Sequence, residues 1–457
     1  MKPLSPSDQM FLWIEKRHQP MHVGGLLLGR PPTDAPPDFV QRMAEQMRSA
    51  RKAEPPFDQR LVGKYGAWFW QHDEDFDIEH HFRHLALPKP GRIRELLALV
   101  SQLHAAHLDR SRPLWEMYLI EGVEGGRFAI YTKIHHAMVD GVAAMRMLQR
   151  ALSEDPHEVD RPPPWAVPHP KHRRERSQDQ QSTSLSELWS AAKTQLAGVP
   201  NVAREVVKTV REATSDDEAT ASLRAPPSIF NQAITGSRRF AAQSYSLDRI
   251  REVGRLFHAT VNDVVLAMCA SALRRYLLDL DALPEKPLVA MIPLSLRRDD
   301  SDSGNQVAMI LANLGTHIED PLERLATIKR SVQHAKERYT NMTPAEILGY
   351  TGTVLGPAGL NFLTSAAPKV QAFNVVISNV PGPKKTLYWN GAKIEGMYPV
   401  SIVVDGQAMN LTLNSYVDKL EFGIMACRRT VPSVQHMLEY LETGLSELEA
   451  LAATNSP

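Results

Sequence analysis

A proline- and charge-rich break running from about Asp155 to Pro227 separates two apolar-patterned regions, and it limits more than any other feature what this chain can fold into. Its first part holds Pro162, Pro163, Pro164, Pro168 and Pro170, then Lys171, His172, Arg173, Arg174, Glu175 and Arg176, then polar Gln and Ser residues. Such a composition makes an extended connector and not a core. The 457 residues also exceed the roughly 250 to 300 at which a single hydrophobic core stops growing. The expected organisation is therefore a domain over residues 1–155, a linker over 156–226 and a second domain over 227–457. From Ser184 the linker changes character: Leu185, Leu188, Trp189, Ala192 and Leu196 recur at spacings of three and four, an amphipathic helix pattern. Two readings stay open, a helix packed on the protein's own surface and a helix lying on anionic lipid beside the basic cluster.

Bulk properties exclude several function classes. With 52 basic and 52 acidic side chains the formal charge is zero, so no global field draws the chain to nucleic acid. Cys269 and Cys427 are the only cysteines, too few for a disulfide framework or a cysteine-rich zinc site, and a reducing cytoplasm is expected. Asp8 and Glu15 interrupt the opening residues where a secretory signal would need a basic start and an apolar run. No stretch approaches the roughly 20 apolar residues of a spanning helix, so the expected membrane contact is peripheral.

Strand and helix patterns occur on both sides of the linker. From Arg127 to Ile134, Phe128, Ile130, Thr132 and Ile134 alternate with Ala129, Tyr131 and Lys133, the period of a strand. His135-His136-Ala137-Met138-Val139-Asp140-Gly141 follows, and then Val142, Met145, Leu148 and Leu152 at helical spacing. The histidine pair thus sits on a strand-to-helix loop. Beyond the linker, Thr260, Asn262 and Asp263 supply helix-start residues before the apolar run Val264 to Leu278. Strands are predicted at Leu288 to Ile292, Phe373 to Ser378, Gln407 to Asn414 and Leu420 to Cys427, and Trp389-Asn390-Gly391-Ala392 has hairpin-turn chemistry. The fold class implied is α/β on both sides.

Two histidines, three residues and then Asp-Gly would arise by chance on the order of once in several hundred such chains, so context has to carry the argument. Neighbouring side chains on an extended strand point in opposite directions, so His135 and His136 cannot share one pocket: one is the reagent and the other a buried support. A lone histidine is more often packing than chemistry, and Asp140 alone would be a helix cap. Gly141 would let the chain turn tightly into the helix. Zinc is the competing use of histidine, but two diverging neighbours chelate poorly and no third ligand is evident, so no metal is expected.

The signature from His135 to Gly141 resembles that of the coenzyme A-dependent acyltransferase superfamily, which includes chloramphenicol acetyltransferase and peptide-synthetase condensation domains. Pro113-Leu114-Trp115-Glu116, Asn262-Asp263, Pro293-Leu294-Ser295-Leu296-Arg297, Ser378-Asn379-Val380-Pro381-Gly382-Pro383 and the opening Leu4-Ser5-Pro6-Ser7-Asp8 resemble, in order and over nearly the whole chain, the bacterial wax ester synthase/acyl-CoA:diacylglycerol acyltransferase family. The resemblance implies two chloramphenicol acetyltransferase-like α/β domains with mixed sheets and an active site between them. It implies transfer of a long-chain acyl group from acyl-CoA to a fatty alcohol or to diacylglycerol, with no cofactor beyond the acyl-CoA substrate and no acyl-enzyme. His136 would be the general base, His135 a support of the loop, and Asp140 and Arg297 an orienting ion pair. Asn262 would stabilise the oxyanion or simply cap its helix. Gly356, within the apolar stretch Ile347 to Leu363, and Ser378 and Asn379 are candidate channel residues, although the apolar stretch fits an ordinary core equally. The expected location is cytoplasmic, at the periphery of the inner membrane or of lipid inclusions. The alternatives are a condensation-type enzyme with another alcohol or amine acceptor, and a non-catalytic coat of lipid droplets, which gives no reason for the histidine loop.

Overall fold

The computed structural model describes residues 1–64, 66–139, 141–168, 225–295, 307–339, 342–343, 346–347 and 371–454. The basic cluster and amphipathic stretch of the linker lie outside the described residues, as do Asp140, Arg297 and Gly356. In chain order the first half contains β1 (Lys2–Pro3), α1 (Pro6–Ile14), β2 (His22–Arg30), α2 (Phe39–Ser49), β3 (Gln59–Lys64), β4 (Ala67–His72), β5 (Phe82–Ala86), α3 (Ile93–Ala105), β6 (Trp115–Val123), β7 (Arg127–His135) and α4 (Gly141–Arg150). The second contains β8 (Arg238–Ser246), α5 (Leu247–Leu256), α6 (Val261–Asp279), β9 (Val289–Ser295), β10 (Val307–Asn313), α7 (Pro321–Tyr339), β11 (Val375–Val380), β12 (Tyr388–Trp389), β13 (Ala392–Val400), β14 (Met409–Tyr416), β15 (Lys419–Cys427) and α8 (His436–Thr454). The expected mixed α/β architecture is present. The predicted strands and the motif's strand-to-helix setting fall where the alternation placed them, within a few residues.

The strands form two six-stranded sheets, in the orders β12-β13-β2-β7-β6-β5 and β10-β9-β11-β14-β15-β8, and a small sheet β1-β4-β3. Both large sheets are mixed: β5 runs parallel to β6, and β11 runs parallel to both β9 and β14. Sheet membership crosses the chain division. β13, from the second half, pairs antiparallel with β2 from Lys393↔Arg30 to Val400↔Gly24. The division at 227 therefore separates the chain but not the sheets. The hairpin that delivers β13 turns at Asn390 and Gly391, with φ of 49° and 84°, both in the left-handed region that a tight two-residue hairpin needs.

Alternation along β7 separates two apolar environments, not core from water. Ala129 and Tyr131 join a core shared with Leu26, Ile120, α6 and the second sheet, while Phe128, Ile130 and Ile134 pack with Met43, Met47, Leu148 and Trp389 on the other face. Helix α6 is sheathed by α5, α7 and α8, and its residues from Asp263 to Leu273 are buried. Among the described residues no single helix is long and apolar enough to cross a membrane; α5 and α6 pass that test only jointly, across a 101° bend.

The two large sheets approach closely at Gly423 of β15, where a Cβ would run into the backbone carbonyl of Pro399 on β13. Gly423→Ala is expected to destabilise the protein by about 1 to 3 kcal/mol in urea unfolding. The same change at Gly236, where a Cβ meets nothing within 4 Å, should be close to neutral. Equal effects at the two positions would contradict the close approach.

Candidate active site

The site is built at the end of β7. His135 is the last strand residue, 1% exposed, and its backbone N–H donates to the Leu114 carbonyl at 2.9 Å. Its ring is tied into the loop that follows, because Nδ1 lies 3.0 Å from the Ala137 backbone N–H and accepts from it. The ring proton therefore resides on Nε2, which faces Glu15 Oε1 at 3.5 Å, an electrostatic distance and not a good hydrogen bond. Glu15 is itself buried. Its carboxylate accepts from Arg110 Nη2 at 2.7 Å and Nε at 3.0 Å and from the Met21 N–H at 3.0 Å. Burial pushes its carboxyl upward, but His135 together with these donors outweighs that and holds it at about 2.

His136 goes the other way. The chain leaves the strand in a turn closed by the Met138 N–H donating to the His135 carbonyl at 2.9 Å, and the His136 N–H donates to the Met21 carbonyl at 2.8 Å. Its half-buried ring stacks on Phe11 of α1, with centroids 4.0 Å apart and planes at 19°. The divergence expected of adjacent strand residues thus separates an inward His135 from a half-exposed His136. Ala137, next in the chain, is buried in a small cluster with Leu4, Leu12, Leu61, Leu108 and Leu114, edged by Phe11, Trp68, Trp70 and Met138. Gly141 opens α4 in open space, without a left-handed φ, so the tight-turn role expected of it is not needed.

Behind the loop lies a buried polar layer. Lys133, two residues before His135 and fully buried, bonds the Leu103 and Ala106 carbonyls at the end of α3 and Glu116 at 2.8 Å. Burial lowers its ammonium pKa, and Glu116 opposes that shift. His22, opposite His135 in the β2–β7 register, donates from Nε2 to the His104 carbonyl at 2.7 Å. His104 donates from Nε2 to the Ser401 carbonyl at 3.0 Å and accepts from the Tyr131 hydroxyl at 2.6 Å. Burial, with Lys133 nearby, pushes His104 down to about 3 and holds His22 well below its ordinary value, so both imidazoles are neutral.

The second half meets this loop from across the interface. Asn414 of β14 lies with Nδ2 3.9 Å from the sulfur of Met145 on α4. Ser378, half-buried, and Asn379, exposed, stand on the neighbouring β11 opposite Thr412 and Leu413. A Cβ on Gly382 would collide with the Ser415 carbonyl, which accounts for the Pro-Gly-Pro segment as a close backbone crossing. Asn262 does not cap its helix. Thr260 and Asp263 do so reciprocally, with Thr260 Oγ1 accepting the Asp263 N–H at 3.2 Å and Asp263 accepting the Thr260 N–H at 2.9 Å. Asn262 is left half-buried in the first turn, and no described hydrogen bond joins it to His136. Among the described residues no group of three His, Cys, Asp or Glu side chains could hold a metal.

Glu15, Phe11 and Arg110 were not legible as site residues, since nothing in their spacing connects them to β7. The Ser5-Pro6 start of α1 is legible: Ser5 Oγ accepts the Asp8 N–H at 3.1 Å and proline sits at the first helical position. That signal locates the helix but not what it covers.

Residues 4–265 match the family description "wax ester synthase/diacylglycerol acyltransferase catalytic domain", and residues 303–449 match "WS/DGAT C-terminal domain". The chain is 50% identical over 455 residues to the O-acyltransferase WSD of Acinetobacter baylyi, covering 99% of this chain and 98% of that one. It is 44% identical over 457 residues to a probable diacylglycerol O-acyltransferase of Mycobacterium tuberculosis, covering 98% and 99%. Among solved structures, the wax ester synthase/diacylglycerol acyltransferase from Marinobacter aquaeolei superposes with a TM-score of 0.82 at 51% identity, over 99% of this chain and 100% of that one. The first condensation domain of the CDA synthetase shares the fold, with a TM-score of 0.58 at 16% identity, over 99% and 96%.

The Glu15 carboxylate should make stability pH-dependent. Its pKa is depressed on folding from 4.5 to about 2, so its contribution is complete above about pH 4.5 and is lost as the pH falls towards 2. The stability difference between the wild type and Glu15→Gln is expected to be a few kcal/mol at pH 6 and to shrink steadily below pH 4.5. A difference that stays constant over that range in urea titrations would contradict the buried ion cluster.

Proposed function

Because the chain belongs to the wax ester synthase/diacylglycerol acyltransferase family, we propose that it moves a long-chain acyl group from acyl-CoA to a fatty alcohol or a diacylglycerol, with His136 as general base. The observation that carries this reading is the split between the two histidines: His135 is locked inward, and His136 presents a half-exposed ring at the strand end. A neutral imidazole accepts the acceptor's hydroxyl proton as that oxygen attacks the thioester carbonyl. A carbon–oxygen bond forms and the carbonyl oxygen takes up negative charge. As the tetrahedral species collapses, the carbon–sulfur bond breaks and the imidazolium returns its proton to the coenzyme A thiolate. No covalent acyl-enzyme enters the sequence.

Acid–base assistance of this kind supplies about 10² to 10⁴-fold, and positioning and oxyanion stabilisation account for the remainder. Asn262, at the positive end of α6, is assigned to the oxyanion, where helix dipole and amide N–H favour the same charge. Asp140 and Arg297 are assigned as an ion pair that holds the loop, and Gly356, Ser378 and Asn379 to the lining of an apolar channel. Phe11 limits the swing of the His136 ring by stacking on it. Since the acceptor and the ester product are both lipids, the enzyme is assigned to the surface of a membrane or lipid inclusion, held there peripherally.

Purified protein should release coenzyme A from palmitoyl-CoA when given hexadecanol or a diacylglycerol. His136→Ala is expected to keep the fold and lose roughly 10³-fold or more of that turnover, in line with loss of a general base. His135→Ala should lose less turnover and more stability, because it leaves Glu15 without its ring partner. Equal and mild losses from both changes would remove His136 from the role.

A further inference from the structure

Three of the large apolar side chains left exposed lie at the start of the chain: Met1 at 64%, Met10 at 44% and Trp13 at 59%. Trp13 is the only exposed tryptophan among the described residues; Trp115, Trp165 and Trp389 are fully buried, and Trp68 and Trp70 half-buried. Met10 and Trp13 are three apart on α1 and so share one face of it. The rest of the helix is committed to the protein, with Leu12 buried, Phe11 stacked on His136, and Ile14, one turn beyond Met10, buried at the helix end. One nine-residue helix thus carries solvent-facing Met and Trp on one side and the ring contact to the catalytic imidazole on another.

Charged residues in and beside α1 differ in exposure. Lys2 and Arg17 are exposed, whereas the carboxylate of Glu15 is buried and Asp8 is half-buried.

We propose that this face, centred on Met10 and Trp13 of α1 and rimmed by Lys2 and Arg17, docks on an anionic phospholipid surface. The inference rests on the acyltransferase reading and adds where the lipid lies. Apolar side chains with an indole among them, set within exposed cations and withdrawn carboxylates, match the chemistry of a bilayer's headgroup boundary. An α-helix with its side chains is about 10 to 12 Å across, so an acceptor leaving the lipid at α1 has roughly one helix diameter to travel to His136. This surface is separate from the linker's basic cluster.

Flotation with vesicles of phosphatidylglycerol and phosphatidylcholine tests it on the full chain. Met10→Ser combined with Trp13→Ser is expected to lower the vesicle partition coefficient at least tenfold and to leave turnover of a short, monodisperse alcohol with a short acyl-CoA within twofold. Wild-type binding should fall severalfold on phosphatidylcholine alone. Quenching by bromine-labelled lipid gives a second readout that does not depend on the double variant folding: wild-type tryptophan emission should be quenched, and Trp13→Phe should remove most of that quenching. Unchanged partitioning of the double variant, or unchanged quenching in Trp13→Phe, overturns the proposal. So does a change from dimer to monomer in sedimentation with vesicle binding intact, which would assign the face to a second copy of the chain. Failure of the acyltransferase reading would look different, as wild-type protein that binds vesicles but turns over neither soluble nor lipid acceptors.

Discussion

The contact between the buried Glu15 carboxylate and His135 is the constraint on which the active-site loop depends. A carboxylate with 6% of its side chain exposed would be costly without partners, and Glu15 gathers Arg110, the Met21 N–H and the His135 ring around itself. In doing so it fixes one imidazole inward. Strand geometry then sends the next residue away from it, and Met21 holds that residue's backbone through its carbonyl while holding Glu15 through its N–H. One backbone residue therefore ties the support and the reagent together. The satellite cluster around Ala137 and the stack of Phe11 on His136 complete the restraint through apolar contact.

The same logic of shared restraint governs the two sheets. β13 leaves the second half to pair with β2, which also pairs with β7, so the strand carrying the histidines sits one strand away from a segment encoded some 260 residues later. His104 links α3 to Ser401 just beyond β13, and Asn414 reaches Met145 on the motif helix. Relative movement of the halves would disturb these contacts together. A site assembled at such a seam gains precision from both sides of it.

Much of this was legible in the chain, because its signals are local. Alternation marked β7, the change of period after Asp140 marked α4, and Asn390-Gly391 marked the hairpin. The divergence of His135 and His136 followed from strand geometry alone. What was not legible is long-range pairing of isolated polar residues: Glu15 with His135, Arg110 with Glu15, Phe11 with His136. A lone carboxylate at a helix end looks the same in sequence whether it faces water or a buried imidazole. The capping of α6 stayed open for a related reason. Thr260, Asn262 and Asp263 all have N-cap chemistry, and only the reciprocal bonds between Thr260 and Asp263 show which of them is spent on the helix end. The crossing of β13 was hidden because a strand's pattern states its faces, not its neighbour.

Direct attack of the acceptor on the thioester is the claim that most distinguishes this account from one in which a side chain first takes the acyl group. Access and not acidity keeps the cysteines out: Cys269 is buried, with burial raising its thiol to about 12, and Cys427, although burial is outweighed by the Thr235 and Thr430 hydrogen bonds that hold its thiol at about 7, is fully buried. Rapid mixing of a stoichiometric amount of palmitoyl-CoA with the protein in the absence of acceptor, followed by free-thiol detection and intact-protein mass measurement, separates the two routes. The account predicts no burst of coenzyme A and an unmodified mass. A burst approaching one equivalent, accompanied by a palmitoyl adduct on the protein, would contradict it.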